Sequence, residues 1–174
     1  MSDVIDLLSA LVATRSVNPA LVPGEAGEAD IAAGLTGWME GRGFIVTRIE
    51  ETPGRPNLVG VLKGSGGGRS LMLNGHVDTV TVAGYHGDPF DPRIDGNRLY
   101  GRGSYDMKAG VAAMLVAADR AARRGHVGGR LAGDIIVACV ADEEHSSIGT
   151  EQVLKHFRAD AAIVTEPSNL EITI

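Results

Sequence analysis

The chain has 174 residues, 44% hydrophobic and 22% charged, with a formal net charge of −6. That is enough for one buried core in a soluble globular protein, and an acidic balance without any basic run argues against a nucleic-acid surface. No apolar segment has the length of a membrane span, the lone Cys139 excludes an internal disulfide, and the opening Met1-Ser2-Asp3 lacks a signal peptide's positive region, so a cytoplasmic location is expected.

In chain order, Ser2 or Asp3 can cap a first helix whose Val4, Ile5, Leu7, Leu8, Leu11 and Val12 form one apolar stripe, and Asn18-Pro19 stops it. A second amphipathic helix runs from about Glu28 to Met39, punctuated by Gly41 and Gly43. Phe44–Ile49 and Leu58–Leu62 read as strands joined through Thr52-Pro53-Gly54-Arg55-Pro56. The run Gly64-Ser65-Gly66-Gly67-Gly68 is a turn and not a phosphate loop, because it leads into a strand and lacks a Lys-Ser/Thr ending.

The next strand, Ser70–Leu73, is the one around which the chain is organised. Gly75 is expected to let the backbone leave the sheet, placing His76 and Asp78 at the carboxyl end of the strand, where open α/β sheets hold ligands. A neutral imidazole offers one nitrogen to a metal, and a carboxylate two residues on can hold the other N–H. The pair alone reads more often as a hydrogen-bonded loop than as a metal site.

A long connection rich in Gly, Pro and Asp runs from Thr81 to Tyr105, followed by an Ala-rich helix from Met107 to about Arg124 with Asp106 at its head, a position that by itself suits an N-cap. Gly133–Val140 is a nearly continuous apolar run, the pattern of a strand covered on both faces. It ends in Asp142-Glu143-Glu144, carboxylates that repel one another unless cations lie between them, although a solvated loop would also carry them. A helix from Thr150 to Phe157, a strand Ala161–Thr165, Glu166-Pro167 and the start of another strand at Leu170–Ile174 complete a single α/β layer structure, or the first part of one.

His76, Glu143/Glu144 and Glu166 each follow a strand, and parallel strands would bring them to one sheet edge together with Asp106. One His and several carboxylates, without a thiolate, suit Zn²⁺, Mn²⁺ or Co²⁺. Two such ions need a bridging ligand and an acid–base group for a shared water.

On Gly75-His76-Val77-Asp78-Thr79, Asp88-Pro89-Phe90 with Asp95-Gly96, Tyr100-Gly101-Arg102-Gly103…Asp106-Met107-Lys108, Asp142-Glu143-Glu144…Gly149-Thr150 and Glu166-Pro167, the chain resembles the dinuclear zinc aminoacylase/carboxypeptidase family. That family includes acetylornithine deacetylase, succinyl-diaminopimelate desuccinylase and glutamate carboxypeptidase. The resemblance implies a three-layer zinc-exopeptidase-like α/β domain with a largely parallel central sheet flanked by helices. It implies two Zn²⁺, with Co²⁺ or Mn²⁺ as substitutes: His76 and Glu166 on the first, Glu144 on the second, and Asp106 bridging them. Asp78 would orient His76, and Glu143 would be the general base, taking a proton from the bridging water and passing it to the leaving amine. A cis peptide at Asp106–Met107 is implied as well.

The expected activity is hydrolysis of an N-acyl amino acid or small peptide, with no nucleic-acid or membrane partner. Tyr85-His86 stands where members often place a tryptophan, which bears on substrate fit, while His86, His126, His145 and His156 match no ligand position and read as loop or surface residues. Members continue into a lid or dimerisation domain, through which a full-length homodimer is implied, and then into a C-terminal catalytic part carrying a last His ligand. Residues 1–174 would thus be the N-terminal part of the catalytic domain, incomplete at its C-terminal end. The alternative is a fragment or binding module that keeps the fold and at most one metal without catalysis.

Overall fold

In the computed structural model, residues 3–128 and 131–168 are described, with the side chains of 125–128 outside that description. The first helix, α1 (Asp3–Ala13), buries Leu7, Leu8, Leu11 and Val12 of the expected stripe, while Val4 and Ile5 are half-buried. It ends before Asn18-Pro19 because Thr14 turns back on it: the Thr14 hydroxyl donates to Ala10 O at 2.9 Å, and the ammonium of Lys108 takes Leu11 O and Thr14 O at 2.8 and 2.9 Å. These are orphan carbonyls of the kind a cation satisfies at a helix C-terminus. Helix α2 (Ala29–Glu40) follows, burying Ile31, Ala32, Leu35 and Met39.

Strands β1 (Ile45–Ile49), β2 (Asn57–Leu62) and β3 (Leu71–His76) lead to a small hairpin, β4 (Ile94–Asp95) and β5 (Arg98–Leu99). That hairpin lies inside the segment read as an unbroken loop: two residues per strand are too few to show alternation, although Asp95-Gly96 marks its turn. A wide turn at Ser104–Lys108 opens into α3 (Ala109–Gly128), then come β6 (Ile135–Val140), α4 (Ile148–His156) and β7 (Ala161–Val164). The strand expected at Leu170–Ile174 and the Ser2 cap lie outside the described residues.

The five-stranded sheet has the order β1-β2-β6-β3-β7. β3 pairs in parallel with both β6 and β7, whereas β2 is antiparallel to β1 and to β6, so β2 alone is reversed in a mostly parallel sheet. All of β6 is buried, as its unbroken apolar run implies. Its residues alternate between two cores. Ile135, Val137 and Cys139 join Leu58, Leu73 and the apolar faces of α1, α2 and α3, while Ile136, Ala138 and Val140 join Ile49, Val59, Val61, Met72 and Val153 of α4. The result is three layers, helix–sheet–helix, with the carboxyl ends of β3, β6 and β7 at one edge.

One expectation fails at β3. Gly75 does not bend the chain out of the sheet: it pairs in register with Cys139, and His76 pairs with Val140. The glycine is needed for packing, because a Cβ there would meet Met107 Cε at 2.9 Å, Val111 Cγ2 at 3.1 Å and Thr165 Oγ1 at 3.2 Å. The turn before α3, the head of α3 and the residue after β7 can therefore approach the strand closely.

Candidate metal centre

His76 is the last residue of β3 and its side chain is 1% exposed. Its Nδ1 lies 3.0 Å from the backbone carbonyl of Asp78. A carbonyl only accepts, so Nδ1 carries the hydrogen and Nε2 is the nitrogen left to bind a cation. Nε2 faces Asp106 Oδ1 at 3.2 Å, Glu166 Oε1 at 3.6 Å and Glu143 Oε2 at 3.7 Å.

The imidazole is thus oriented chiefly by the main chain of Asp78, the carboxylate oxygen being farther, at 3.4 Å. The fully buried Asp78 carboxylate has other partners. It accepts from Asn18 Nδ2 at 2.7 Å, Glu143 N at 3.1 Å and Glu144 N at 3.2 Å. Asn18 is delivered there because Ser16–Asn18 runs beside the end of β3, with Asn18 N donating to Thr79 O and Thr79 N to Ser16 O, both at 2.9 Å.

Asp106 does not cap a helix. Helix α3 starts at Ala109, the Asp106–Met107 peptide is cis, and both residues have non-helical backbone angles. The turn sends the Asp106 carboxylate, 53% exposed, toward His76. Glu143 and Glu144 follow β6 on a turn bracketed by two left-handed residues, Asp142 (φ 64°) and Ser147 (φ 56°), whose backbones are tied by Ser147 N donating to Asp142 O at 2.6 Å. Glu166 follows β7, where Thr165 N donates to Asn74 O of β3 at 3.1 Å.

The ligand atoms converge in two overlapping groups, His76/Glu143/Glu166 and His76/Asp106/Glu144, within each of which all lie within 4.8 Å of one another. The grouping differs from the one implied by resemblance, in that Glu143 stands with His76 and Glu166. His86, His145 and His156 are exposed and belong to neither group, and the side chain of His126 is outside the described residues.

The electrostatics fit a bound cation. Burial opposes protonation of His76, yet the hydrogen bond and charge of Asp78, with Glu166 and Glu143, outweigh it and lift the imidazole to about 9. Burial raises the Glu144 carboxyl to about 6, with Asp106, Asp78 and Glu143 adding to the effect against the pull of His76. Glu166 is raised by burial, then by Asp106 and Glu143, again against His76. A cluster that holds protons this firmly is short of positive charge, and a divalent ion on one imidazole nitrogen and carboxylate oxygens would supply it.

Several residues around this edge escaped the sequence reading. Asn18 looked like a helix stop, Arg55 a turn residue, and Asp142 one acid in a loop. Lys108 sat in a quoted motif without a role, yet it is fully buried beneath the Asp106 turn and ties that turn to α1. No local signal distinguishes them, since their partners are far away in sequence.

Comparison with known proteins bears on the family and the fold. The profile described as peptidase family M20/M25/M40 matches residues 72–174. Succinyl-diaminopimelate desuccinylase of Xanthomonas oryzae pv. oryzae (strain PXO99A) is 37% identical over 182 residues, covering 98% of this chain and 44% of that protein. N-formyl-4-amino-5-aminomethyl-2-methylpyrimidine deformylase of Bacillus subtilis (strain 168) is 36% identical over 148 residues, covering 82% of this chain and 34% of that protein. The chain thus spans less than half the length of these curated relatives. In fold it is similar to the M20 family metallo-carboxypeptidase Sso-CP2 from Sulfolobus solfataricus, with TM-score 0.79 and 22% identity over 95% of this chain and 37% of that one. It is also similar to the YXEP protein of Bacillus subtilis, titled a dinuclear metal binding peptidase from the M20 family, with TM-score 0.60 and 16% identity over 87% of this chain and 38% of that one. With more than half of its residues under the family profile and its length nearly covered by a 37% identical relative, the chain belongs to peptidase family M20/M25/M40.

Proposed function

We propose that this chain carries the ligand edge of a dinuclear zinc amidohydrolase that cleaves the amide bond of an N-acyl amino acid or small peptide. The observation that carries the proposal is the convergence of His76, Asp106, Glu143, Glu144 and Glu166 from the ends of β3, β6 and β7 and the head of α3. The two curated relatives, named a desuccinylase and a deformylase, support an acyl–nitrogen bond as the target. The dinuclear metal binding peptidase of the same fold supports a pair of ions.

His76 Nε2 and Glu166 would hold one ion, Glu144 the other, and Asp106 both. When bound, zinc polarises the amide carbonyl and lowers the pKa of a coordinated water to near neutrality. Glu143, 41% exposed and with Oε2 3.7 Å from His76 Nε2, is left to accept a proton from the attacking water at its carboxylate and deliver it to the leaving amine nitrogen. Asp78 holds the Glu143 and Glu144 main chain, so the base and its neighbouring ligand are set together.

A zinc titration of the metal-stripped chain, followed by calorimetry, tests this reading. His76 offers one free nitrogen to two overlapping groups, so one tight equivalent is expected, with a second far weaker, and His76→Ala should abolish the tight one. Unchanged binding in His76→Ala would refute the site. Hydrolysis of N-acyl amino acids by the 174-residue chain should fall well below an enzymatic rate, because the second ion would rest on carboxylates alone. Two tight ions with robust turnover would overturn that ligand count.

A further inference from the structure

The turn bearing Glu143 and Glu144 is fastened from behind by a run of buried charges. Arg55, between β1 and β2, grips Glu28 at the head of α2 with two bonds, Nε to Oε2 at 2.5 Å and Nη2 to Oε1 at 2.7 Å. The same Nη2 donates to Asp142 Oδ1 at 3.0 Å. Side-chain exposures are 10% for Arg55, 0% for Glu28 and 3% for Asp142. Asp142 Oδ1 also accepts from Asn18 Nδ2 at 3.1 Å, and that amide donates to Asp78 Oδ2 at 2.7 Å. The other Asp142 oxygen accepts from the Ser146 hydroxyl. Beyond Asp78 lie the N–H groups of Glu143 and Glu144.

Buried ion pairs are a poor source of net stability, since desolvation offsets most of the attraction, and their best-attested use is to specify one geometry. Here the geometry is unusual. Asp142 has a left-handed backbone at φ 64°, a conformation that non-glycine residues keep only where surrounding contacts over-determine it. The guanidinium fork matches carboxylates in a way an ammonium does not.

We propose that Arg55 is a positioning residue for the metal edge: anchored on Glu28, it fixes Asp142, and Asp142 with Asn18 and Asp78 sets the backbone that presents Glu143 and Glu144. The inference rests on the metal-site reading for its functional meaning, and the geometry it asserts can be measured without metal.

The test uses the full 174-residue chain as Arg55→Lys, Arg55→Met and Glu28→Gln, with Leu35→Ala as a control that loosens α2 in the core away from this network. Zinc affinity is read by chelator competition, and the amide resonances of Glu143 and Glu144 are followed in metal-stripped protein. Asp78 also holds His76 Nδ1 through its backbone carbonyl at 3.0 Å, so the network reaches a ligand of the tight ion, and Arg55→Lys should lose about tenfold in affinity and Arg55→Met about a hundredfold, the range typical for partners that orient metal ligands. The Glu143 and Glu144 amides should move while those of β1 stay in place. If Arg55→Met does not fold, Arg55→Lys and Glu28→Gln carry the comparison. Wild-type affinity or unmoved Glu143 and Glu144 amides in Arg55→Lys would overturn the proposal, as would an equal affinity loss in Leu35→Ala. A wild-type chain that binds no zinc would overturn the metal-site reading instead, and the amide shifts would then decide the positioning role.

Discussion

Asp78→Asn keeps the shape of a buried side chain and removes its charge, so it isolates what that charge does. The wild-type carboxylate is fully buried and accepts Glu143 N on one oxygen and both Asn18 Nδ2 and Glu144 N on the other. An asparagine must turn its NH₂ toward one of these sides, leaving at least one N–H facing a donor. An unsatisfied buried donor costs about 1–3 kcal/mol, and the surviving bonds lose their charge assistance, worth roughly half their strength. A total of about 2–4 kcal/mol is expected, large against the ~5–15 kcal/mol of a typical domain.

The pH dependence adds a second signature. His76 is lifted from 6.5 to about 9, with burial opposed by Asp78 as the leading favourable partner. A raised folded-state value stabilises fully below the unfolded pKa and is lost as pH rises through the folded one. In metal-stripped protein the stability gap between wild type and Asp78→Asn should therefore shrink between pH 6.5 and about 9, by up to ~3 kcal/mol at about 1.4 kcal/mol per pKa unit. Urea denaturation at closely spaced pH values reads both quantities. A gap that stays constant over this window, or a loss under ~0.5 kcal/mol at pH 7, the range of an ordinary surface substitution, would refute the reasoning.

Three further outcomes follow from other residues. In a full-length protein with the proposed activity, Glu143→Ala should leave metal content nearly intact and abolish turnover, whereas Glu144→Ala should lose metal from one site; metal analysis beside a hydrolysis assay separates them, and wild-type turnover in Glu143→Ala would remove it as the base. Burial lowers the Lys108 ammonium from 10.5 to about 7 against the pull of Asp78, so its charged burial penalty is relieved as pH rises from about 7 toward 10.5; the stability of wild type relative to Lys108→Met should climb over that range, and a pH-independent difference counts against the burial argument. Gly75→Ala puts a methyl 2.9 Å from Met107 Cε and 3.1 Å from Val111 Cγ2, which should lower stability by about 1–3 kcal/mol in chemical denaturation, and an unchanged midpoint would mean that the neighbours yield freely.

What the sequence alone determined lies where the signal is local. The stripe of α1, the unbroken apolar run of β6 and the order of the longer helices and strands are set by residues a few positions apart, and most of their ends were readable to within about two residues, the far ends of α1, β3 and α3 excepted. The candidate site residues stood out because a His or acid directly after an apolar strand is locally conspicuous, and the segments around them resemble a family motif. Tertiary structure decided the rest. β3 runs through Gly75 because α3 and Thr165 press against it, a demand that a strand-ending glycine does not advertise. β2 is reversed because its partners are β1 and β6, and nothing within Asn57–Leu62 states its direction. Asn18, Arg55 and Asp142 meet across 124 and 87 positions of chain. Hydrogen bonds and charges act over a few ångströms in space, so the groups that orient His76, Glu143 and Glu144 gain that role only once the fold has closed the distance.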